Sequence, residues 1–149
     1  MSDRDASGSL SLFEAGMRAR KEVLGEAQVE RTLARRSGFD APFQEFITEV
    51  AWGRLWAGDA LDRRTRSLVT IGILASLGRR EELALHLAAT RRTGATEAEV
   101  RDALLHVAVY AGVPAANAAF TLAREIFAAE GDAVAGEVPG ESSAAGEAP

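Results

Sequence analysis

Large apolar residues recur at three- and four-residue intervals along most of the chain, and no stretch shows the period-two alternation of a half-buried strand. The pattern predicts an all-α fold. A first helix spans about Leu10 to Val23, and a second follows Gly25 to about Arg35. Asp40 starts a longer one with Pro42 in its first turn, where a missing N–H costs nothing. That helix carries Phe43, Phe46, Ile47, Val50, Ala51 and Leu55 and runs to about Trp56. After the turn Gly58-Asp59-Ala60-Leu61, Asp62 begins another, which continues through Leu68, Ile71 and Leu74 to Gly78. The next helix carries Glu82 and His86 to about Thr93, where Gly94 supplies a C-terminal stop. Thr96-Glu97-Ala98-Glu99 is a capping box, opening a helix that ends near Tyr110. Gly112-Val113-Pro114 breaks the chain before a last helix from about Ala115 to Ala129.

Val69 to Leu77 is apolar nearly all round, which predicts a central helix buried on most sides. Together with Ala108, Ala111, Ala115, Ala116, Ala118 and Ala119 it points to close helix packing and to subunit contacts that cover surplus apolar surface. Residues 10–130 form the expected single domain. Met1 to Ser9 is polar, and Gly131 to Pro149 is rich in small and polar residues. Neither buries enough surface to offset its ordering entropy, so both ends are expected to be mobile and the tail to have no catalytic role.

Composition narrows the chemistry. The chain has 149 residues, 47% hydrophobic and 26% charged, as expected of one soluble globular domain. No apolar run reaches the ~18 residues of a membrane span, and the polar start is unlike a signal peptide, so a cytoplasmic protein with no membrane partner is expected. The absence of cysteine excludes disulfides, thiol catalysis and cysteine-ligated zinc. His86 and His106 are the only histidines, too few for the three protein ligands a catalytic zinc wants. A net charge of −5 argues against nucleic acid as a partner. Lys21 is the only lysine; the other cations are arginines, whose planar forks match carboxylates and keep an anionic small molecule in play.

Four local groups are candidates for chemistry. Glu82 and His86 sit one turn apart, and His86 lies between Leu83 and Leu87, so an imidazole facing a dry interior has a carboxylate near it. A locally satisfied core histidine is the alternative. Arg63, Arg64 and Arg66 open a helix behind Asp62, with Arg63 and Arg66 on a shared face; they form either an anion site or a solvated helix entrance. Glu45, Glu49, Trp52 and Trp56 share one helix, and the tryptophans either wall a pocket or simply pack the core. Tyr110 and Asn117 flank the Gly112-Val113-Pro114 break, which lines a cavity or serves as a plain interhelical turn. His106 is one turn before Tyr110 and is able to bond there with no further role.

Taken in order, these groups resemble the carboxymuconolactone decarboxylase family. The matching stretches are Arg20 to Gly25, Phe43 to Gly53, Leu61 to Leu68, Glu82 to Leu87 and Tyr110 to Asn117, spread over about Leu12 to Phe127. The resemblance implies the all-helical fold shared with alkylhydroperoxidase D type proteins, and assembly as a trimer or hexamer. Arg79 and Glu82 stand where the peroxidase branch has its two cysteines, while its histidine matches His86, so the decarboxylase branch is the one that fits. Ala118 follows Asn117 where family members often have histidine or another polar residue, and His106 stands where glutamine is common; both departures bear on the substrate.

The implied reaction is cofactor-free loss of CO2 from a carboxylated lactone in the protocatechuate branch of the β-ketoadipate pathway. The implied substrate is a butenolide with one carboxylate on the ring carbon next to oxygen and an acetate arm. Its own ring double bond and carbonyl accept the electrons CO2 leaves behind, so no prosthetic group is needed. On this reading His86 supplies the proton or a hydrogen bond to the enolate, with Glu82 or Glu49 orienting it. Arg63 or Arg66 holds the acetate carboxylate, Trp52 and Trp56 form an apolar wall, and Tyr110 and Asn117 complete the pocket. The alternatives are a cofactor-free lyase or isomerase acting on a different lactone or enolisable acid, and a non-catalytic helical oligomer.

Overall fold

A computed structural model describes residues 9–136. Among them every regular element is helical, in agreement with the apolar periodicity. The segments 1–8 and 137–149, which hold most of the two ends expected to be mobile, lie outside the described residues.

Local chemistry fixes most boundaries. Helix α1 (Leu12–Leu24) starts at a reciprocal Ser11/Glu14 capping box, and α2 (Glu26–Ala34) follows directly after Gly25. Helix α3 (Ala41–Ile47) has Pro42 in its first turn and passes without a break into a π-helical segment, Thr48–Trp56. The side chain of Asp62 accepts from the Thr65 N–H and caps α4 (Arg63–Leu77). Helix α5 (Arg80–Thr93) ends on Gly94 in the left-handed conformation. The Thr96/Glu99 capping box opens α6 (Glu97–Tyr110) as expected. Helix α7 (Val113–Gly136) begins two residues before its expected start and runs seven past Ala129, so the apparent tail starts inside a helix.

Two apolar clusters organise these elements. Helices α4 to α7 bury an aliphatic core that includes Ile71, Leu83, Leu87, Val100, Leu104 and Leu122. A smaller cluster joins Ala19 and Val23 of α1, Trp52 and Trp56 of the π segment, and Ala89 of α5. The α1–π contact is the most extensive between any two elements, and two glycines make it possible. A methyl group at Gly16 would overlap the Thr48 carbonyl oxygen, and one at Gly53 would overlap the Leu12 carbonyl oxygen, so the two backbones touch directly.

One expectation is corrected. Helix α4 is not buried on most sides within the chain. Ile71 and Ala75 face the core, but Val69, Ile73 and Leu77 are exposed and line an open apolar groove with α6. The physical reason is geometric: two neighbours, α5 and α6, with a lesser contribution from α7, cover only one side of a helix whose apolar residues surround it.

Candidate active site

The smaller cluster holds the chemistry. The π-helical turn, marked by the Ala57 N–H donating to the Trp52 carbonyl five residues back, brings Trp52 and Trp56 into stacking at a centroid distance of 5.3 Å. His86 approaches from α5 and lies nearly parallel to both indoles, 6.4 Å from Trp52 and 5.6 Å from Trp56. The tryptophans are 7% and 5% exposed, so one side of the half-buried imidazole meets apolar ring surface. Its Nδ1 is buried with no hydrogen-bond partner among the described residues. Desolvation lowers its pKa from the usual 6.5 to about 4, because the charged form has lost water and gained no counter-ion. At neutral pH the ring is therefore uncharged.

The expected carboxylate partners do not reach it. Glu82 and Glu49 are both exposed, and neither is bonded to Nδ1. Glu82 shares the helix with His86, but the ring turns inward toward the tryptophans while the carboxylate stays in solvent. The structure therefore does not show either of them orienting the imidazole.

Arg63 and Arg66 separate as well. Arg63 pairs with Glu22 of α1 at 2.8 Å on the surface. Arg66 is 8% exposed, donates from Nε to the Leu61 carbonyl at 3.0 Å, and carries a terminal nitrogen beside Gly58, just past Trp56. The two guanidiniums hold different partners rather than forming one clamp. Tyr110 is 86% exposed and lies with His106 in the α4–α6 groove, where their rings stack 6.4 Å apart. His106 Nδ1 lies 3.1 Å from the Asp102 carbonyl on its own helix. Asn117 is exposed, and its carbonyl accepts the Thr121 hydroxyl. Neither Tyr110 nor Asn117 joins the cluster of His86, Trp52 and Trp56 within the chain. Among the described residues, no three metal-binding side chains come together.

Sequence reasoning passed over Arg20. It is 5% exposed, donates to Thr48 Oγ1 at 3.2 Å and to Gln44 Oε1 at 3.1 Å, and leaves its Nε unpartnered. The available signal was its place one turn after Gly16 on the buried face of α1.

With this geometry in view, the relatives bear on function. The model of the carboxymuconolactone decarboxylase family matches residues 41–125, which include the π segment, both tryptophans and His86. The chain belongs to that family. It is 46% identical over 115 residues to a 4-carboxymuconolactone decarboxylase of Acinetobacter baylyi, covering 77% of this chain and 86% of that one. It is equally, 46%, identical over 103 residues to the nitrosuccinic acid decarboxylase npaB of Metarhizium robertsii, covering 69% and 72%. A 4-carboxymuconolactone decarboxylase of Pseudomonas putida matches over 41 residues at the same identity, covering 28% of this chain and 85% of that sequence.

Proposed function

We propose that this protein decarboxylates 4-carboxymuconolactone to 3-oxoadipate enol-lactone and CO2 without a cofactor, with His86 as the proton-handling group. The observation that carries this is an imidazole stacked beside two indoles, its buried Nδ1 without a partner among the described residues, in a chain of this family. The C–C bond to the ring carboxylate breaks, and its electron pair moves through the ring double bond into the lactone carbonyl to give a dienolate. A proton then returns to the carbon beside that carbonyl, which leaves the ring double bond displaced by one position.

At neutral pH the desolvated His86 ring carries no extra proton. A substrate with two carboxylates changes that, since negative charge in a dry setting stabilises the imidazolium. Binding thus raises the pKa of His86, the ring takes up a proton, and that proton is delivered as charge develops on the ligand. The indoles keep the departing carboxylate poorly solvated, which favours neutral CO2. Arg66 is better placed than Arg63 to hold the acetate arm, because it is buried beside the end of the π segment and is not already paired with a carboxylate. Glu82, Glu49, Tyr110 and Asn117 act only if ligand binding or a neighbouring subunit brings them in. The exposed apolar α4–α6 face supports burial against further copies of this chain, as in a trimer or hexamer with the alkylhydroperoxidase D-like arrangement. The same proposal takes the protein as cytoplasmic, with no nucleic-acid or membrane partner.

A second reading keeps the site and changes the acid. The equal identity to a nitrosuccinic acid decarboxylase favours it. That compound is also a dicarboxylic acid, and its nitro group is able to accept the electrons as a nitronate. The test is to incubate the protein with each acid and follow CO2. Rapid release from 4-carboxymuconolactone, with little from nitrosuccinate, is expected. The reverse preference selects the second reading, and no release from either removes both.

A further inference from the structure

The buried cation of α1 has no obvious reason to be there. Burying a guanidinium is costly unless a counter-charge is near, and apolar replacements of buried charges are often neutral or stabilising. Arg20 has no carboxylate partner among the described residues, and desolvation draws its pKa below the ordinary arginine value. Its desolvation is a cost that its hydrogen bonds have to offset.

Both acceptors sit where α3 becomes the π segment. Gln44 belongs to the last turn of α3, and Thr48 is the first π-helical residue. The Thr48 hydroxyl also donates to the Gln44 carbonyl at 2.7 Å, so it competes for an acceptor of the α-helical ladder at the point where the ladder changes register. Arg20 ties that hydroxyl and the Gln44 side chain to α1 at once. Ala19 and Val23, on the same buried face as Arg20, pack in the cluster that contains Trp52 and Trp56. A π turn takes more than four residues, so sliding this junction by one residue would rotate both indoles away from His86.

We propose that Arg20 is a positioning residue for the His86 site: by bridging Thr48 and Gln44 it fixes the register of the π segment, and with it the face on which Trp52 and Trp56 meet the imidazole. This rests on the reading of His86 as the proton-handling group, but its spectroscopic test does not depend on turnover. The chain has two tryptophans and two histidines, so the near-ultraviolet circular dichroism of the stacked indoles and the His86 ring resonances are each traceable.

Arg20→Met keeps a long side chain and removes the donors. Helix content and melting temperature should hold or rise, as expected when an unpaired buried charge is replaced. The coupled indole signal should be lost, and the His86 midpoint should move from about 4 toward 6.5 as water gains access. On substrate, kcat should fall on the order of tenfold with KM little changed, since misplaced groups lose the transition state more than binding. Arg20→Lys should recover part of each signal. If Arg20→Met does not fold, Thr48→Val removes the acceptor with little change of shape and should produce the same spectral changes. A folded Arg20→Met or Thr48→Val protein with wild-type indole coupling and an unmoved His86 midpoint would overturn the proposal. A wild-type protein that releases no CO2 would overturn the decarboxylase reading instead, with the spectra still deciding the role of Arg20.

Discussion

The two apolar clusters of this molecule are built on opposite principles, and α5 belongs to both. Toward α4, α6 and α7 it presents Leu83 and Leu87 to a core whose fully buried members are all aliphatic, with Phe120 and Phe127 packed at its edge. Toward α1 and the π segment it presents His86 and Ala89 to a cluster containing two tryptophans, beside which lie an unpartnered imidazole nitrogen and an unpartnered guanidinium nitrogen. Buried polar groups are nearly always satisfied in native proteins, and exceptions concentrate where a fold does chemistry. On the proposed reading the aliphatic core supplies stability, while the aromatic cluster holds an uncharged imidazole for proton transfer.

This contrast breaks most visibly in the aliphatic core. Leu104→Ala removes a buried side chain where α6 meets the other helices and should cost about 2–5 kcal/mol by chemical denaturation. If the two clusters are separate in role, the titration of His86 should not move in that variant.

Acid sharpens the contrast by a comparable amount. The folded-state pKa of His86 lies below its ordinary value, so the unfolded chain takes up the proton first as pH falls. The contribution of the neutral ring is fully present above about 6.5 and is lost progressively down to about 4, a loss of roughly 3 kcal/mol. Carboxylates titrate too, but they are common to wild type and His86→Gln. Denaturation midpoints for the pair should hence converge or cross toward acid, with the variant losing less; parallel curves would mean that the ring is not desolvated.

Gly16→Ala probes the α1–π contact through packing alone. Its methyl meets backbone rather than a movable side chain, so α1 must shift, at a cost of about 1–3 kcal/mol and with loss of indole coupling. The smallest effect belongs to the surface. Arg63→Ala breaks the exposed pair with Glu22 and should change stability by less than about 1 kcal/mol. A rise of tenfold or more in KM would instead restore Arg63 to substrate binding over Arg66.

Much of this was legible in the chain. Capping residues carry local signals, so Asp62, Thr96 and Gly94 marked helix ends correctly, and the i, i+4 spacings of Leu83 with Leu87 and of Trp52 with Trp56 marked inward faces. The position of His86 inside an apolar stretch correctly turned it inward. The π register was not legible, because Thr48 to Trp56 has the apolar spacing of an ordinary helix and the change depends on Arg20, 28 residues away from Thr48. Nor was the separation of Arg63 from Arg66: residues on one helix face still choose different partners when one finds Glu22 and the other a backbone carbonyl. The place of Arg20 one turn after Gly16 marks a shared helix face but not its partners Gln44 and Thr48, which are set by contact between helices.

The most direct test of the central claim is the turnover of His86→Gln on 4-carboxymuconolactone at neutral pH, beside wild type. Glutamine preserves a polar side chain of similar reach but carries no transferable proton. A fall in kcat of about 10²-fold or more, with helix content and indole coupling intact, is the expected result. Turnover at the wild-type rate would contradict the account.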